Sequence, residues 1–500
     1  MVNLVSINIP PGVVRGATPL DAKGRWWNTN LVRWRNGVLE PVKGWSKIHT
    51  TPLEGGRIRK LDVWRDNLNF RHILAATDQK IFVDLTDVTP DGFSPSLPSI
   101  GFTGYGVGEY GMEEYGTERS EVSYDMQVSP PYWTFARWGE DMLAVMSVDG
   151  NLYHFDATFP AQPFKLVNEA PTNNVAVHVT PERHVLLLQL GGNPRRLGWS
   201  SRESLTDWDF MSTTNTAGFL DLETATPLLK AADSRAGTLV FSHSDVFLLP
   251  YVGLPYIYGR QWLGKTRVLN PDTIVHENGN VFWWATDGFK MWDGGQILHL
   301  DCPVWDYIMS RSDLRYLRTF AHGGGLGLYP EIWWFYPSAE AGAECDSYVM
   351  FNYVEGWWAI GSLSRSAVVA ADADRYPYMG GEDGFIYQHE NGWYGAMGGN
   401  VRPIFAETAA LSVGTGSRVA DIKQVLLATG HGYDALRLRF YTNLAPEGPG
   451  RVFGPYRARP DGYMDVRVTG RDIRFRFEAV KDTDWSLGET RMDISVSGAR

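Results

Sequence analysis

Asn278 to Leu300 reads NGNVFWWATDGFKMWDGGQILHL. Val281-Phe282-Trp283-Trp284 is a short aromatic and β-branched run of the kind that fills a buried strand. Asp287-Gly288 follows as a hairpin dipeptide, because glycine reaches positive φ without a Cβ clash. Phe289-Lys290-Met291-Trp292 is the return strand, Asp293-Gly294-Gly295 the next turn, and Ile297 to Leu300 a further strand. Such a sheet cannot bury both faces alone and needs neighbours of its own kind.

The chain supplies them. Asn67 to Asp84 (NLNFRHILAATDQKIFVD), Glu140 to Asp156 (EDMLAVMSVDGNLYHFD), Gly237 to Val252 (GTLVFSHSDVFLLPYV) and Asp374 to Glu390 (DRYPYMGGEDGFIYQHE) share one plan. Each has an apolar strand, a turn built on Asp, Gly or Ser, and a strand ending in an aromatic residue. More divergent copies lie at Arg183–Trp199 and Glu331–Ile360. Recurrence at about 40 to 70 residues is the mark of a β-propeller, whose four-stranded blades pack face to face. A β-sandwich with recurring hairpins is the alternative.

Composition agrees with an all-β class. Trp 20, Tyr 23 and Phe 23, with 53 Gly and 28 Pro among 500 residues, describe aromatic strands punctuated by turns. Two cysteines, Cys302 and Cys345, exclude a disulfide scaffold and a four-cysteine metal site. Lys and Arg total 46 against 57 Asp and Glu, a net charge of −11. That balance argues against tight nucleic-acid binding and suits a wall past which DNA slides. The opening MVNLVSINIPPGVV has neither the basic nor the apolar region of a signal peptide, and no transmembrane segment follows, so assembly in a cytoplasm is expected.

Three regions are expected along the chain. Residues 1–50 form an arm, kept extended at Pro10-Pro11 and turned at Asn36-Gly37. Trp26, Trp27, Trp34 and Trp45 are too many large aromatics for a free tail. The arm packs on the body or a neighbouring subunit, or else forms an edge hairpin of the first blade. Residues 51–400 form the propeller body. Within it GFTGYGVGEYGMEEYGTE (101–118) repeats Tyr-Gly at Tyr105, Tyr110 and Tyr115. A run so poor in aliphatics does not fold by itself; it is a flexible inter-blade loop or an interaction loop whose tyrosines offer stacking and hydrogen bonding. DCPVWDYIMSRSDLR (301–315) is the best helix candidate, with Pro303 in its first turn. In residues 401–500 three stretches, 436–444, 472–480 and 491–498, alternate strictly: Ile473, Phe475 and Phe477 face one way and Arg474, Arg476 and Glu478 the other, as in a half-buried strand. Residues 401–500 form a separate C-terminal β-sandwich.

Motifs for chemistry are weak. Gly259-Arg260-Gln261-Trp262-Leu263-Gly264-Lys265-Thr266 fits the P-loop pattern, but a P-loop opens a long helix and Asn270-Pro271 leaves no room for one. Ser147-Val148-Asp149-Gly150-Asn151-Leu152-Tyr153 approaches the Asp turns of sialidases, with Gly one place early and Tyr for Trp. Trp208-Asp209, Trp292-Asp293 and Trp305-Asp306 echo WD repeats without the Gly-His partner motif. His243, His276 and His299 lie in or beside strands and read as structural residues rather than metal ligands. Asp372, Asp374 and Asp383 hint at calcium without EF-hand spacing. No G-x-S-x-G elbow supports a serine triad. No catalytic residue, cofactor or metal is therefore assigned.

Leu263 to Ile308, LGKTRVLNPDTIVHENGNVFWWATDGFKMWDGGQILHLDCPVWDYI, resembles a stretch recurrent in virion proteins of tailed bacteriophages. PPGVVRGATPLDAKGRWWNTNLVRWRNGVLEPVKGW and the Tyr-Gly repeat also look like parts of those chains. In layout the sequence is similar to the P22-type packaged-DNA stabilisation family, the tail hub or nozzle of short-tailed phages. One departure is Lys265-Thr266, where those proteins carry Gly-Cys.

The resemblance implies a non-catalytic virion tail protein made in the host bacterial cytoplasm. It implies a homohexameric ring below portal and head–tail adaptor, which retains packaged DNA, lets it pass without sequence-specific binding, and attaches needle, plug or fibre proteins. Two alternatives stand beside it. One is a virion propeller that binds or cleaves bacterial surface glycan. The other is a propeller enzyme or scaffold unrelated to phage.

Overall fold

Alternation and turn chemistry build almost every element. Asn36 and Gly37 both take positive φ, 51° and 79°, and join Val32–Arg35 to Val38–Pro41 in an antiparallel pair. Asn278 and Gly279 do the same at 49° and 74°, joining Val275–Glu277 to Asn280–Ala285. Such paired positive angles match the twist of the flanking strands.

The computed structural model describes residues 4–16, 22–95, 132–341, 344–393, 402–412, 419–443 and 450–497. The chain is all-β, with a β-propeller-like body of short antiparallel blades and a C-terminal β-sandwich. It divides into two compact units, one of residues 53–300 and 314–322, the other of 1–52, 301–313 and 323–500.

The first unit holds five four-stranded antiparallel sheets in chain order, spanning 58–87, 133–166, 176–221, 228–265 and 275–300. We call these the first to fifth blades. Their opening strands are Ile58–Arg65, Trp133–Trp138, Ala176–Val179, Leu228–Ser234 and Val275–Glu277, and along the series each lies against the next blade. The cores sit between blades. Trp64 and Leu74 of the first pack with Trp133 and Phe155 of the second. Leu186 and Trp199 of the third pack with Val240 and Phe247 of the fourth. Phe241 meets Trp283 edge-on at 5.3 Å between the fourth and fifth.

The fifth blade contains the organising stretch, with two differences. Its opening strand, Val275–Glu277, precedes Asn278. The second turn falls on Thr286-Asp287, and Gly288 already pairs with Ala285. Gly288 is required there because its φ is 138° and a Cβ would lie 2.3 Å from the His299 ring.

The second unit holds two more four-stranded sheets, the sixth and seventh blades, and two six-stranded sheets. The sixth blade runs from His322–Gly325 to Trp358–Ser362. The seventh takes Ala367–Val369, Tyr378–Gly380 and Ile386–His389, and its last strand is Trp45–Lys47. In one six-stranded sheet Leu4–Ile7, Val32–Arg35 and Val38–Pro41 join Leu487–Ser497, Val419–Thr429 and Tyr463–Gly470. In the other, Trp26–Asn30 pairs with Phe405–Thr408, which adjoins Asp472–Ala479. Ile473, Phe475 and Phe477 are buried, while Arg474 and Arg476 reach Glu407.

Residues 1–50 are therefore not an arm, nor an edge hairpin of the first blade, and 401–500 do not make the sandwich alone. Four strands of the opening stretch supply the sandwich sheets and a fifth completes the seventh blade, through backbone pairing with strands from the far end of the chain. The helix near 301–315 is Trp305–Ser310, so Pro303 precedes it, and a second helix follows at Leu314–Phe320. Tyr105, Tyr110 and Tyr115 lie outside the described residues.

Arg33 fixes this weave. Its guanidinium, 2% exposed, lies 2.9 Å from Glu331 and 2.6 Å from Glu390, both equally buried. Tyr329 covers its face at 3.9 Å. Removing one member of such a group leaves uncompensated buried charge, which costs about 3–5 kcal/mol. Arg33→Met is expected to lose that much in urea unfolding. Arg33→Lys recovers only part of it, since an ammonium cannot serve two carboxylates in parallel pairs.

Candidate functional site

Three places hold buried polar groups, and two of them coincide with stretches read from the sequence. The first is the P-loop lookalike. Gln261–Lys265 is the outer strand of the fourth blade, paired with Asp245–Leu249. Its Lys265 ammonium sits 2.9 Å from Asp245 Oδ1, and the Trp262 indole donates to the same oxygen at 3.0 Å. The hydroxyl of Thr224 donates to Asp245 Oδ2 at 2.9 Å, and Ser244 donates to it as well. The Thr266 amide donates to the Ser244 carbonyl at 2.9 Å. Pro271–Thr273 is a single 3-10 turn capped by Asn270, in place of the helix that a phosphate loop needs. Lysine and threonine of the motif thus close a blade.

Burial pushes the Asp245 carboxyl up, but hydrogen bonds from Ser244, Lys265, Trp262 and Thr224 outweigh it and hold the group at about 2, below its ordinary 3.8. A depressed carboxyl stabilises the fold above the ordinary value, and that contribution is lost as pH falls through the folded one. Wild type is therefore expected to exceed Asp245→Asn in unfolding midpoint at neutral pH, with the gap closing between pH 3.8 and about 2. A gap that ignores pH would contradict this assignment.

The second place centres on Lys230, a lone lysine in the apolar strand Leu228–Ser234. Burial pushes its ammonium down to about 7, with Lys60 adding repulsion. Such a shift commonly marks chemistry. Here the amine donates to the carbonyls of Pro271 and Ile274 at 3.2 and 3.3 Å, and Lys60 holds Asp272 at 3.0 Å. The amine therefore ties the opening strand of the fourth blade to the turn before the fifth.

The third place is the junction of the two stretches that carry the family resemblance. Val13 N–H donates to the Trp358 carbonyl at 2.8 Å, and Arg15 N–H to the Pro303 carbonyl at 3.0 Å. The Arg15 guanidinium lies 3.7 Å over the Tyr307 ring. Gly12 passes so close to Trp357 that a Cβ would lie 3.0 Å from its side chain. An open cavity of about 520 Å³ is bounded by Pro11, Val14, Arg25, Cys302 and Trp357. Burial pushes the Cys302 thiol up to about 12, so it is a poor nucleophile.

The remaining motif residues close blades. Tyr153 donates to Asp149 at 2.9 Å, Tyr387 to Asp383 at 2.6 Å, and Tyr378 to Asp374. The sialidase-like turn and two of the three calcium-hint aspartates thus belong to one device, an Asp and a Tyr four positions apart that clasp a hairpin. His276 and His299 are exposed on strands, and burial lowers the pKa of His243. Among the described residues no group of three or more His, Cys, Asp and Glu is placed to hold a metal, and no helix is long and apolar enough to cross a membrane.

Sequence reasoning missed Arg33, Glu331 and Glu390, whose meeting depends on pairings some 300 residues apart. It also missed Lys230, although a single lysine among Leu and Ala is a legible signal of a buried cation.

No family model and no curated protein matches the chain. Among solved structures it is similar to YCF48 bound to a D1 peptide, at 10% identity and a TM-score of 0.36, over 70% of this chain and 97% of that one. It is also similar to a gluconolactonase from Xanthomonas campestris, at 10% identity and a TM-score of 0.32, over 52% of this chain and 86% of that one.

Proposed function

We propose that the protein is a non-catalytic structural subunit of a bacteriophage tail, a hub or nozzle. In this role it forms a ring with copies of itself below the portal and head–tail adaptor, retains packaged DNA and attaches needle, plug or fibre proteins. The observation that carries the reading is the junction at Arg15. The opening stretch PPGVVR and the Cys-Pro-Val stretch from Cys302, which share the family resemblance, are bound to each other through Arg15, Pro303 and Tyr307.

Two further features support it. A channel wall must bear load, and here the first strands of the chain pair with strands from its last hundred residues, which ties its two ends together. A net charge of −11 disfavours a tight hold on passing phosphate. The P-loop lookalike has no part in the role, because its lysine and threonine serve the fourth blade.

The test is assembly with a neighbour. The protein is mixed with the head–tail adaptor ring encoded beside its gene, and the mass is followed by light scattering. A six-fold addition of the 56.1 kDa chain to the adaptor is expected. No adaptor gene in the neighbourhood, or a monomer that ignores the adaptor, would overturn the role and turn attention to glycan binding.

A further inference from the structure

In an antiparallel four-stranded meander the first and third turns lie at one end of the sheet and the second at the other. The five blades of the first unit keep these ends aligned. The Asn67 amide in the first turn of the first blade donates to Glu140 in the first turn of the second. The Tyr258 hydroxyl, in the third connection of the fourth blade, donates to Glu182 in the first turn of the third. Arg235 in the first turn of the fourth donates to the Asn278 carbonyl in the first turn of the fifth.

Exposed large apolar side chains gather at this end. Leu68, Phe70 and Leu85 stand on turns of the first blade, Phe159 on the second and Met211 on the third. Tyr251, Val252, Leu254 and Tyr256 stand on the third connection of the fourth. Among the described turns at the opposite end, Val148 is the large apolar residue left exposed, at 39%. Soluble surfaces seldom gather such side chains without a partner. Together they offer roughly 800 Å² or more, the share one partner contributes to a stable interface.

The patch contains both a knob and a hole. The knob is the two-stranded hairpin Tyr251–Gly253 with Ile257–Tyr258. Its base is fixed: Ile257 and Tyr258 are buried, Tyr258 stands edge-on to Trp199, and its hydroxyl meets Thr180 at 2.7 Å. Its tip is bare, with Leu254 and Tyr256 each 77% exposed. The hole is a cavity of about 610 Å³ between the first and second blades. Leu68, Phe70, Ala157 and Pro160 form its apolar wall, and Asp66, Asp84 and Glu140 supply carboxylates. Its volume suits an inserted aromatic tip, and the carboxylates are acceptors for a tyrosine hydroxyl. Knob and hole sit on different blades of one unit, so the knob of one copy is free to meet the hole of another.

We propose that this end is a self-association surface, in which the Leu254–Tyr256 tip of one copy enters the Leu68–Pro160 cavity of a second. The occupant is a second copy of this chain because both complementary shapes, and the hydroxyl with its acceptors, lie on it. A rigid base under an apolar tip lowers the entropy lost on docking. The proposal adds a contact surface to the tail reading and rests on it only for the expectation that copies meet.

The test is sedimentation velocity of the full chain across a concentration series. Wild type is expected to form multiples of 56.1 kDa. The pair Leu254→Asp and Tyr256→Asp should weaken association at least roughly tenfold, as loss of a central apolar anchor does. Its melting point should stay unchanged, since the tip is exposed, and Val148→Asp should associate like wild type. As a second readout, Leu254→Cys chains mixed with Pro160→Cys chains should oxidise to a mixed disulfide, and Val148→Cys chains should not. Wild type that stays monomeric throughout the series overturns the proposal, while the tail role is still judged by adaptor binding. Assembly that survives both aspartates, or no mixed disulfide, overturns this surface and leaves the ring expectation standing.

Discussion

Arg33 donates to two carboxylates, Glu331 and Glu390, at a place from which water is excluded. Two anions against one cation leave a net negative charge there, and burial pushes Glu331 up. The site is tolerable only because every partner is held in place: the Tyr329 ring over Arg33 and the Trp333 indole on Glu331 complete the shell. This constraint binds a sandwich strand, the sixth blade and the end of the seventh. A slip of one residue in Val32–Arg35 would turn Arg33 to the opposite face and strand both carboxylates.

Much of the second unit follows from that register. With Val32–Arg35 in place, Trp34 packs against Trp26 and Trp357, and the chain continues to Trp45, which stacks on His389 at the edge of the seventh blade. Arg402 then lies over Trp45 and pairs with Asp482. Opening residues, blade residues and closing residues therefore share one set of buried cations and rings. The first unit relies on apolar cores between successive blades, while hydroxyl and carboxylate clasps occur in blades of both units.

Much of this was legible in local chemistry. Asn36-Gly37 turns where its dipeptide says it must, the five hairpin repeats and both divergent copies all lie in four-stranded sheets, and Ile473, Phe475 and Phe477 face inward as their alternation requires. The failures share a cause. Membership of Trp26–Asn30 and Trp45–Lys47 in distant sheets is decided by long-range pairing that no local pattern encodes. The turn lies one residue before the Asp287-Gly288 dipeptide, and Gly288 sits in the strand under the His299 ring of the next strand, a cross-strand fit that the dipeptide alone does not reveal. The P-loop lookalike shows that a spacing pattern carries no chemistry until a strand or helix is known to hold it. Asp149, Asp374 and Asp383, which hinted at sugar or calcium sites, showed their tyrosine partners only once the fold placed them side by side.

The central claim is that the opening strands are structural members of sheets built from the far end of the chain. Native-state hydrogen exchange followed by mass spectrometry, across a denaturant series, tests it most directly. Backbone amides of Trp26–Asn30 and Val32–Arg35 should open together with those of Val419–Thr429 and Asp472–Ala479, at one free energy. Release of residues 26–47 at low denaturant, with the closing strands still protected, would contradict the account and return the opening stretch to the status of a docked arm.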